Sequence, residues 1–154
     1  MGSMPNYPEL SGQSVLITGA SSGIGAGLAS AFAAQGCHIA VNYPDTSAQS
    51  AADNIVNAIS VNGGKAIAVQ ADVSHSGEVA AMMEATLKHF GKLDILINNA
   101  GIARSAPVQD ISEEDWDKVM AVHIKGTFLC TRAALPQMLE RDSGRIISTA
   151  SQLA

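Results

Sequence analysis

Short β-branched runs alternate with longer helical patterns along this chain, and few folds accommodate that order. Runs at residues 13–18, 38–42, 66–70, 93–97 and 145–148 read as strands. Between the first two, Ile24, Leu28, Ala31, Phe32 and Gln35 recur at helical spacing until Gly36. Residues 47–61 are alanine-rich and helical, closing at Asn62, Gly63 and Gly64. Val79, Met82, Met83, Thr86, Leu87 and Phe90 mark the next helix face, which stops at Gly91. Ser112, Glu113, Glu114 and Asp115 resemble a capping box, with Asp where Glu or Gln is usual. A helix from there is expected to run past Trp116, and a second one to about Leu139. Strands alternating with helices mean a parallel sheet with right-handed crossovers, so the expected class is α/β: a doubly wound sheet with helices on both faces. The first and fourth runs are nearly pure apolar, as strands covered on both sides require.

Composition narrows the function classes. At 47% hydrophobic, the 154 residues are too apolar for a disordered chain. Two cysteines exclude a disulfide scaffold and point to a reducing compartment, so a cytoplasmic location is expected. Cys37 and Cys130 are expected to pack as small apolar residues. The net charge of −5, without a basic block, argues against nucleic acid as a partner. No apolar run is long enough to cross a bilayer, so no membrane role is expected. The four histidines show no metal-ligand spacing, and no metal site is expected. His38 and His75 fall at element ends and His89 on a helix, while Trp116 is expected to pack on its helix. No repeat, low-complexity tract or linker divides residues 13–154, which read as one domain. Residues 1–12 read as a leader, with Met1, Gly2, Ser3 and Met4 an expression remnant.

The stretch from Thr18 to Gly25 sits between the first strand and the first helix. A glycine-rich turn there lets backbone N–H groups approach a phosphate, and the helix N-terminus adds favourable partial charge. The bland alternative is a tight strand-to-helix turn. The glycines fall at Gly19, Gly23 and Gly25, which is not the common Gly-x-Gly-x-x-Gly spacing. With Asn98, Asn99, Ala100 and Gly101 after the fourth strand, this pattern resembles the short-chain dehydrogenase/reductase family over essentially the whole chain. That resemblance implies a Rossmann-type domain, of which the chain would carry the N-terminal portion.

The resemblance assigns roles residue by residue. Gly19, Ser21, Ser22, Gly23, Ile24 and Gly25 would line the pyrophosphate and ribose of NAD(P). Asp72 would accept from the adenine amine and Val73 would give it an apolar contact; a turn or capping aspartate is the competing reading. Asn98, Asn99, Ala100 and Gly101 would steady the sheet and contact the cofactor ribose. Cofactor choice falls to Tyr43, with Pro44 next to it. A carboxylate there would favour NAD and an arginine NADP, and neither is present. Ser21 is likewise uncharged, and nearby Asp45 suits a turn, so NAD against NADP stays open. Ser151 matches the catalytic serine that hydrogen-bonds the substrate oxygen, with Ser148 as its nearest competitor.

Two departures stand out. By the resemblance His123 is a candidate catalytic residue, standing where the family usually has the asparagine that shapes its helix and helps hold a water on the proton relay, with a plain helical histidine as the alternative. The family's Tyr-x-x-x-Lys, whose tyrosine is the general acid/base, is not found. Tyr7 and Tyr43 are the only tyrosines, and Lys118 and Lys125 have no tyrosine four residues upstream. The chain is therefore expected to be part of a longer polypeptide and inactive alone. Its end would leave the fifth strand with an open edge and bare an apolar surface at Phe128, Leu129 and Leu135.

The complete protein would be a homodimer or homotetramer by the same resemblance. It would transfer hydride between NAD(P)(H) and a small-molecule carbonyl or secondary alcohol. Within the family, 3-oxoacyl-carrier-protein reductases and glucose dehydrogenases are the most similar branches. Residues 104–107 either border the substrate or form a solvated loop. The alternatives are a non-catalytic nucleotide-binding fragment and an enzyme using another adenosine cofactor, such as a methyltransferase. The glycine spacing and Asn98–Gly101 argue against the latter.

Overall fold

The structure is a computed structural model and describes residues 5–150. Five parallel strands form one sheet: β1 (Ser14–Ile17), β2 (His38–Tyr43), β3 (Lys65–Gln70), β4 (Ile95–Asn98) and β5 (Arg145–Ser148). Their order is β3-β2-β1-β4-β5, with β1 at the centre. The connections are α1 (Gly23–Ala34), α2 (Gln49–Val61), α3 (Ser76–Phe90), and α4 (Glu113–Met120) followed by α5 (Gly126–Glu140). This is the doubly wound α/β arrangement that the alternating pattern predicts.

Alternation along each strand sorts the core into two layers. Val15, Ile17, Ile39, Val41, Ile95 and Ile97 point to one face, where they meet Ala29 of α1 and Ala52 and Ile59 of α2. Leu16, Ala40 and Leu96 point to the other, against Met82 and Met83 of α3 and Leu129, Cys130, Ala134 and Met138 of α5. β1 and β4 are buried along their whole length, and each fully buried Leu or Ile contributes about 1.5–3 kcal/mol. Cys37 and Cys130 lie in these layers, where burial pushes their thiols up to about 11 and about 12. They pack as apolar residues.

Several boundaries move by a residue or two, for local reasons. β4 begins at Ile95 because the Leu93 backbone is taken by α5. Its carbonyl accepts from Gln137 Nε2 at 3.0 Å and from Arg141 Nη2 at 2.7 Å. α2 begins at Gln49 because the Asp45 carboxylate accepts the Ser47 N–H at 2.8 Å and winds Thr46–Ala48 into a 3-10 turn. Half of the capping box forms: Ser112 Oγ accepts the Asp115 N–H at 3.1 Å, while the Asp115 carboxylate accepts from the Ser112 hydroxyl at 3.2 Å rather than from its backbone N–H. Between α4 and α5, residues Ala121–Lys125 widen into a π-turn that the sequence did not announce.

The expected apolar surface needs one correction. Phe128 and Leu135 are exposed, but Leu129 is buried. Adjacent helical residues point about 100° apart, so Phe128 faces out while Leu129 joins the core. Trp116 is 57% exposed rather than packed. β5 stands at the sheet edge with Ile147 half-exposed. Among the described residues, no helix is long and apolar enough to cross a membrane and no cluster of metal-ligating side chains occurs.

Candidate functional site

The glycine turn joins β1 to α1 at the carboxyl edge of the sheet, where the crossovers diverge toward β2 on one side and β4 on the other. That switch point is where doubly wound sheets bind ligands. Two glycines make the turn possible. Gly19 has φ +61°, and a Cβ on it would lie 2.8 Å from Ala100 Cα. A Cβ on Gly25 would lie 2.5 Å from Gly19 O and 2.7 Å from Asn99 Nδ2. The turn thus wraps onto the segment after β4 with no room for a side chain between them.

Three polar side chains hold it there. Thr18 Oγ1 accepts from the backbone N–H of Asn99 and of Ala100, both at 3.0 Å. Asn99 Nδ2 donates to Thr18 O at 3.0 Å and Gly19 O at 3.2 Å. From the opposite side, Asn42 Oδ1 accepts the Gly19 N–H at 3.0 Å. The Asn42 amide nitrogen donates to the carbonyls of Val69 at 3.2 Å and Ala71 at 3.0 Å. Asn42 is 1% exposed and ties β1, β2 and β3 together at the turn. Sequence reading passed over this residue. Its one signal was a polar side chain closing an otherwise apolar strand. Asn42→Ala would orphan the Gly19 N–H and the Ala71 carbonyl, a loss of about 2 kcal/mol. The expected result is a clear drop in the urea midpoint with an unchanged slope.

With the turn held, the start of α1 is free. Ser21, Ser22, Gly23 and Ile24 are at or near the surface, and neither serine side chain takes a partner among the described residues. Ile24 is 69% exposed. A Cβ on Gly23 would meet open space. The first N–H groups of a helix have no intrahelical acceptor and form an anion-binding end. The turn therefore presents free N–H donors and a favourable helix-end field to an anion at this place.

The flanking residues are more committed. The Tyr43 ring is buried among apolar neighbours. Asp45 is engaged in capping its 3-10 turn. Asp72 Oδ1 accepts from Ser74 N at 2.9 Å and Ser74 Oγ at 2.7 Å, and Oδ2 lies 3.2 Å from His75 Nδ1. Burial alone would raise the Asp72 pKa, but the bonds from Ser74 and His75 outweigh it and hold the carboxyl below its ordinary range. Val73 is buried against α5, where a Cβ on Gly126 would come within 2.7 Å of its Cγ2.

Asn98, Asn99, Ala100 and Gly101 lie together beside the turn. Asn98 Nδ2 donates to Thr131 Oγ1 at 3.2 Å and Ser148 Oγ at 3.4 Å. Asn98 Oδ1 is buried and has no partner among the described residues. The backbone runs past it, with Thr149 N–H donating to Asn98 O at 2.9 Å, so β5 leads out along this same edge. Ser151 lies outside the described residues. His123 sits in the π-turn and reaches Ile102.

The short chain dehydrogenase family model matches residues 13–154. The chain belongs to the short chain dehydrogenase family. It is 46% identical over 142 residues to a 3-oxoacyl-[acyl-carrier-protein] reductase from Synechocystis sp., covering 92% of this chain and 57% of that protein. It is 38% identical to glucose 1-dehydrogenase 2 from Bacillus subtilis, covering 94% and 56%. A short chain dehydrogenase from Burkholderia cenocepacia, solved in complex with NADP, superposes with a TM-score of 0.83 at 35% identity, covering 94% of this chain and 57% of that one. This short chain dehydrogenase chain thus spans little more than half the length of the relatives it matches.

Proposed function

We propose that the polypeptide carrying this chain is an NAD(P)-dependent oxidoreductase acting on a carbonyl or secondary alcohol of the 3-oxoacyl or sugar and small-alcohol type. The observation that carries this is the glycine turn, propped open by Asn42, Thr18 and Asn99 at the switch point of the sheet. The names of the relatives support the substrate range, and the NADP complex of the Burkholderia protein supports the cofactor class.

In this reading the first turn of α1 holds the pyrophosphate through Gly23, Ile24 and Gly25 N–H groups, with Ser21 and Ser22 hydroxyls beside it. Asp72, kept ionised, accepts from the adenine end, and Gly19, Val73 and Tyr43 shape the path between them. Asn98, Asn99, Ala100 and Gly101 align the ribose side. When bound, the nicotinamide supplies or takes the hydride. Ser151 would hydrogen-bond the substrate oxygen and fix its carbon for attack. A tyrosine and a lysine carried beyond residue 154 would move the proton. A cytoplasmic homodimer or homotetramer completes the proposal.

The test is a fluorescence titration of the full-length protein with NADH and NADPH. Saturable binding of at least one is expected. Asn99→Ala removes two hydrogen bonds from the turn and should weaken it about tenfold or more. Absence of binding by both dinucleotides, in a folded protein, would overturn the reading.

A further inference from the structure

Three basic side chains gather at the amino edge of the sheet, the opposite end from the glycine turn. His38 opens β2 and Lys65 opens β3, and the two are register partners on neighbouring parallel strands. Register partners point to the same face. Ala40 and Ile67, two residues further on, place that face against α3. α3 ends there with His89 and Phe90. These four residues, with Ser60 and Ala66, line an open cavity of about 470 Å³. Small-molecule sites span roughly 300–1,000 Å³. The Phe90 ring contacts both imidazoles, with its centroid 5.7 Å from that of His38 and 4.9 Å, edge-on, from that of His89.

No carboxylate lines this cavity. The charged groups that act on His38 are Lys65, Lys92 and His89 on the positive side and Asp94 on the negative. Asp94 is already engaged by the Ser14 N–H, Lys92 and Arg141. Burial, followed by Lys65 and Lys92, holds the His38 imidazole below its ordinary pKa. The side chains of His38, Lys65 and His89 make no hydrogen bond or ion pair among the described residues. Basic groups opposite one another on adjacent strands repel, so this pairing does not serve stability.

Helix-end capping does not account for it either. Lys88 and His89 suit the last turn of α3, but His38 and Lys65 belong to strands. The last carbonyls of α2 are served locally: Ala58 O by Asn62 Nδ2 at 2.7 Å, and Ile59 O and Ser60 O by the N–H groups of Gly64 and Gly63, both at 2.9 Å. In a chain of net charge −5, an unpaired basic cavity attracts an anion.

We propose that this cavity is a phosphate-binding site, at the opposite edge of the sheet from the glycine turn, that takes a phosphomonoester or free phosphate. Lys65 supplies the point charge, and His38 and His89 donate ring N–H groups. Phe90 and Ala66 give apolar support to the group that the phosphate carries. The Ser60 hydroxyl donates to Val56 O at 2.9 Å and is not a donor here.

The test is NMR of the full-length protein labelled at histidine, titrated with orthophosphate near pH 7, where imidazoles are partly protonated. Potassium chloride holds the ionic strength constant. The His38 and His89 ring signals are expected to move together and saturate with one shared midpoint. Phosphate held at the start of α1 would leave these two rings unmoved, since they lie at the other edge of the sheet. Lys65 is exposed, so Lys65→Gln leaves the fold intact and should weaken the binding about tenfold. Phenyl phosphate is the second probe: tighter binding than orthophosphate identifies a phosphomonoester as the ligand, weaker binding free phosphate. Shifts that grow without saturating, or an unchanged midpoint in Lys65→Gln, would overturn the proposal. No dinucleotide is used, so the outcome is separate from that of the oxidoreductase reading.

Discussion

Gly25→Ala is expected to abolish useful dinucleotide binding and to cost the fold about 3 kcal/mol. The added methyl would sit 2.5 Å from Gly19 O, 2.7 Å from Asn99 Nδ2 and 2.9 Å from Ala20 Cα. Two of those atoms are backbone, and the third is an amide already bound to the turn. Nothing can yield without breaking the clasp between β1 and the segment after β4. At roughly 2–4 °C per kcal/mol for a domain of this size, the melting midpoint should fall by about 6–12 °C. Affinity for NADH or NADPH should fall at least ~100-fold, because the N–H groups of the first turn would no longer converge. Gly27→Ala is the control. Nothing lies within 4 Å of a Cβ there, and alanine is the better helix former. That variant should keep full affinity and gain up to ~1 kcal/mol. Two glycines two residues apart thus respond with opposite sign, as thermal melts and fluorescence titrations would show. Equal behaviour of the two variants would refute the clasp.

Asp94→Ala is expected to be nearly as damaging to stability while sitting at the far end of the sheet from the glycine turn. Asp94 Oδ2 accepts from Ser14 N at 2.9 Å and lies 3.0 Å from Lys92 Nζ. Asp94 Oδ1 meets Arg141 Nη1 at 3.1 Å. The carboxylate is 11% exposed, so its removal leaves the Ser14 N–H without its acceptor, while Arg141 keeps its bonds to Leu93 and Gln137. The loss is about 2 kcal/mol. Burial alone would raise the Asp94 pKa, but the Ser14 N–H, Lys92 and Arg141 outweigh it and hold the carboxyl below its ordinary value of 3.8. A depressed folded-state pKa stabilises above the unfolded value and loses that contribution as pH falls through the folded one. The wild-type melting midpoint should therefore fall steeply below about pH 4, the usual carboxylate range, and converge on that of Asp94→Ala. A constant gap between the two proteins down to pH 2 would show that the carboxylate charge is not the source.

Both sites illustrate what local pattern can reveal. The strand and helix alternation was legible because period-2 and period-3.6 spacing are written in neighbouring residues. The glycine turn was legible because its spacing and its place after a strand coincide. The Asp94 corner was not, because it joins groups as much as 80 residues apart. Asn42 was passed over for the same reason: its partners come from the glycine turn after β1 and from the residues at and just past the end of β3. The π-turn had no residue signature: the sequence divides this stretch into a helix past Trp116 and a second one to about Leu139, with nothing to say that a widened turn joins them. Leu129 was misplaced because an apolar stretch does not say which of two neighbours turns inward. In each case the missing information was the third dimension, supplied by a strand or helix from elsewhere in the chain.

The placement of β1 at the centre of the sheet also sets an order of assembly. Its partner β2 arrives early, and the Gly19–Asn42 bond closes only 23 residues of chain. Its other partner β4 arrives late, and the Thr18–Asn99 bond spans 81. The longer closure costs about 1 kcal/mol more in chain entropy. Folding should thus begin with β1, β2 and β3 zipping together, with β4 docking afterwards. The glycine turn gains its Asn42 tether in the first event and its Asn99 clasp in the second. A nascent chain therefore holds the turn from one side only until Asn99 has left the ribosome and found β1, so the two halves of the turn's support arrive about 57 residues of synthesis apart.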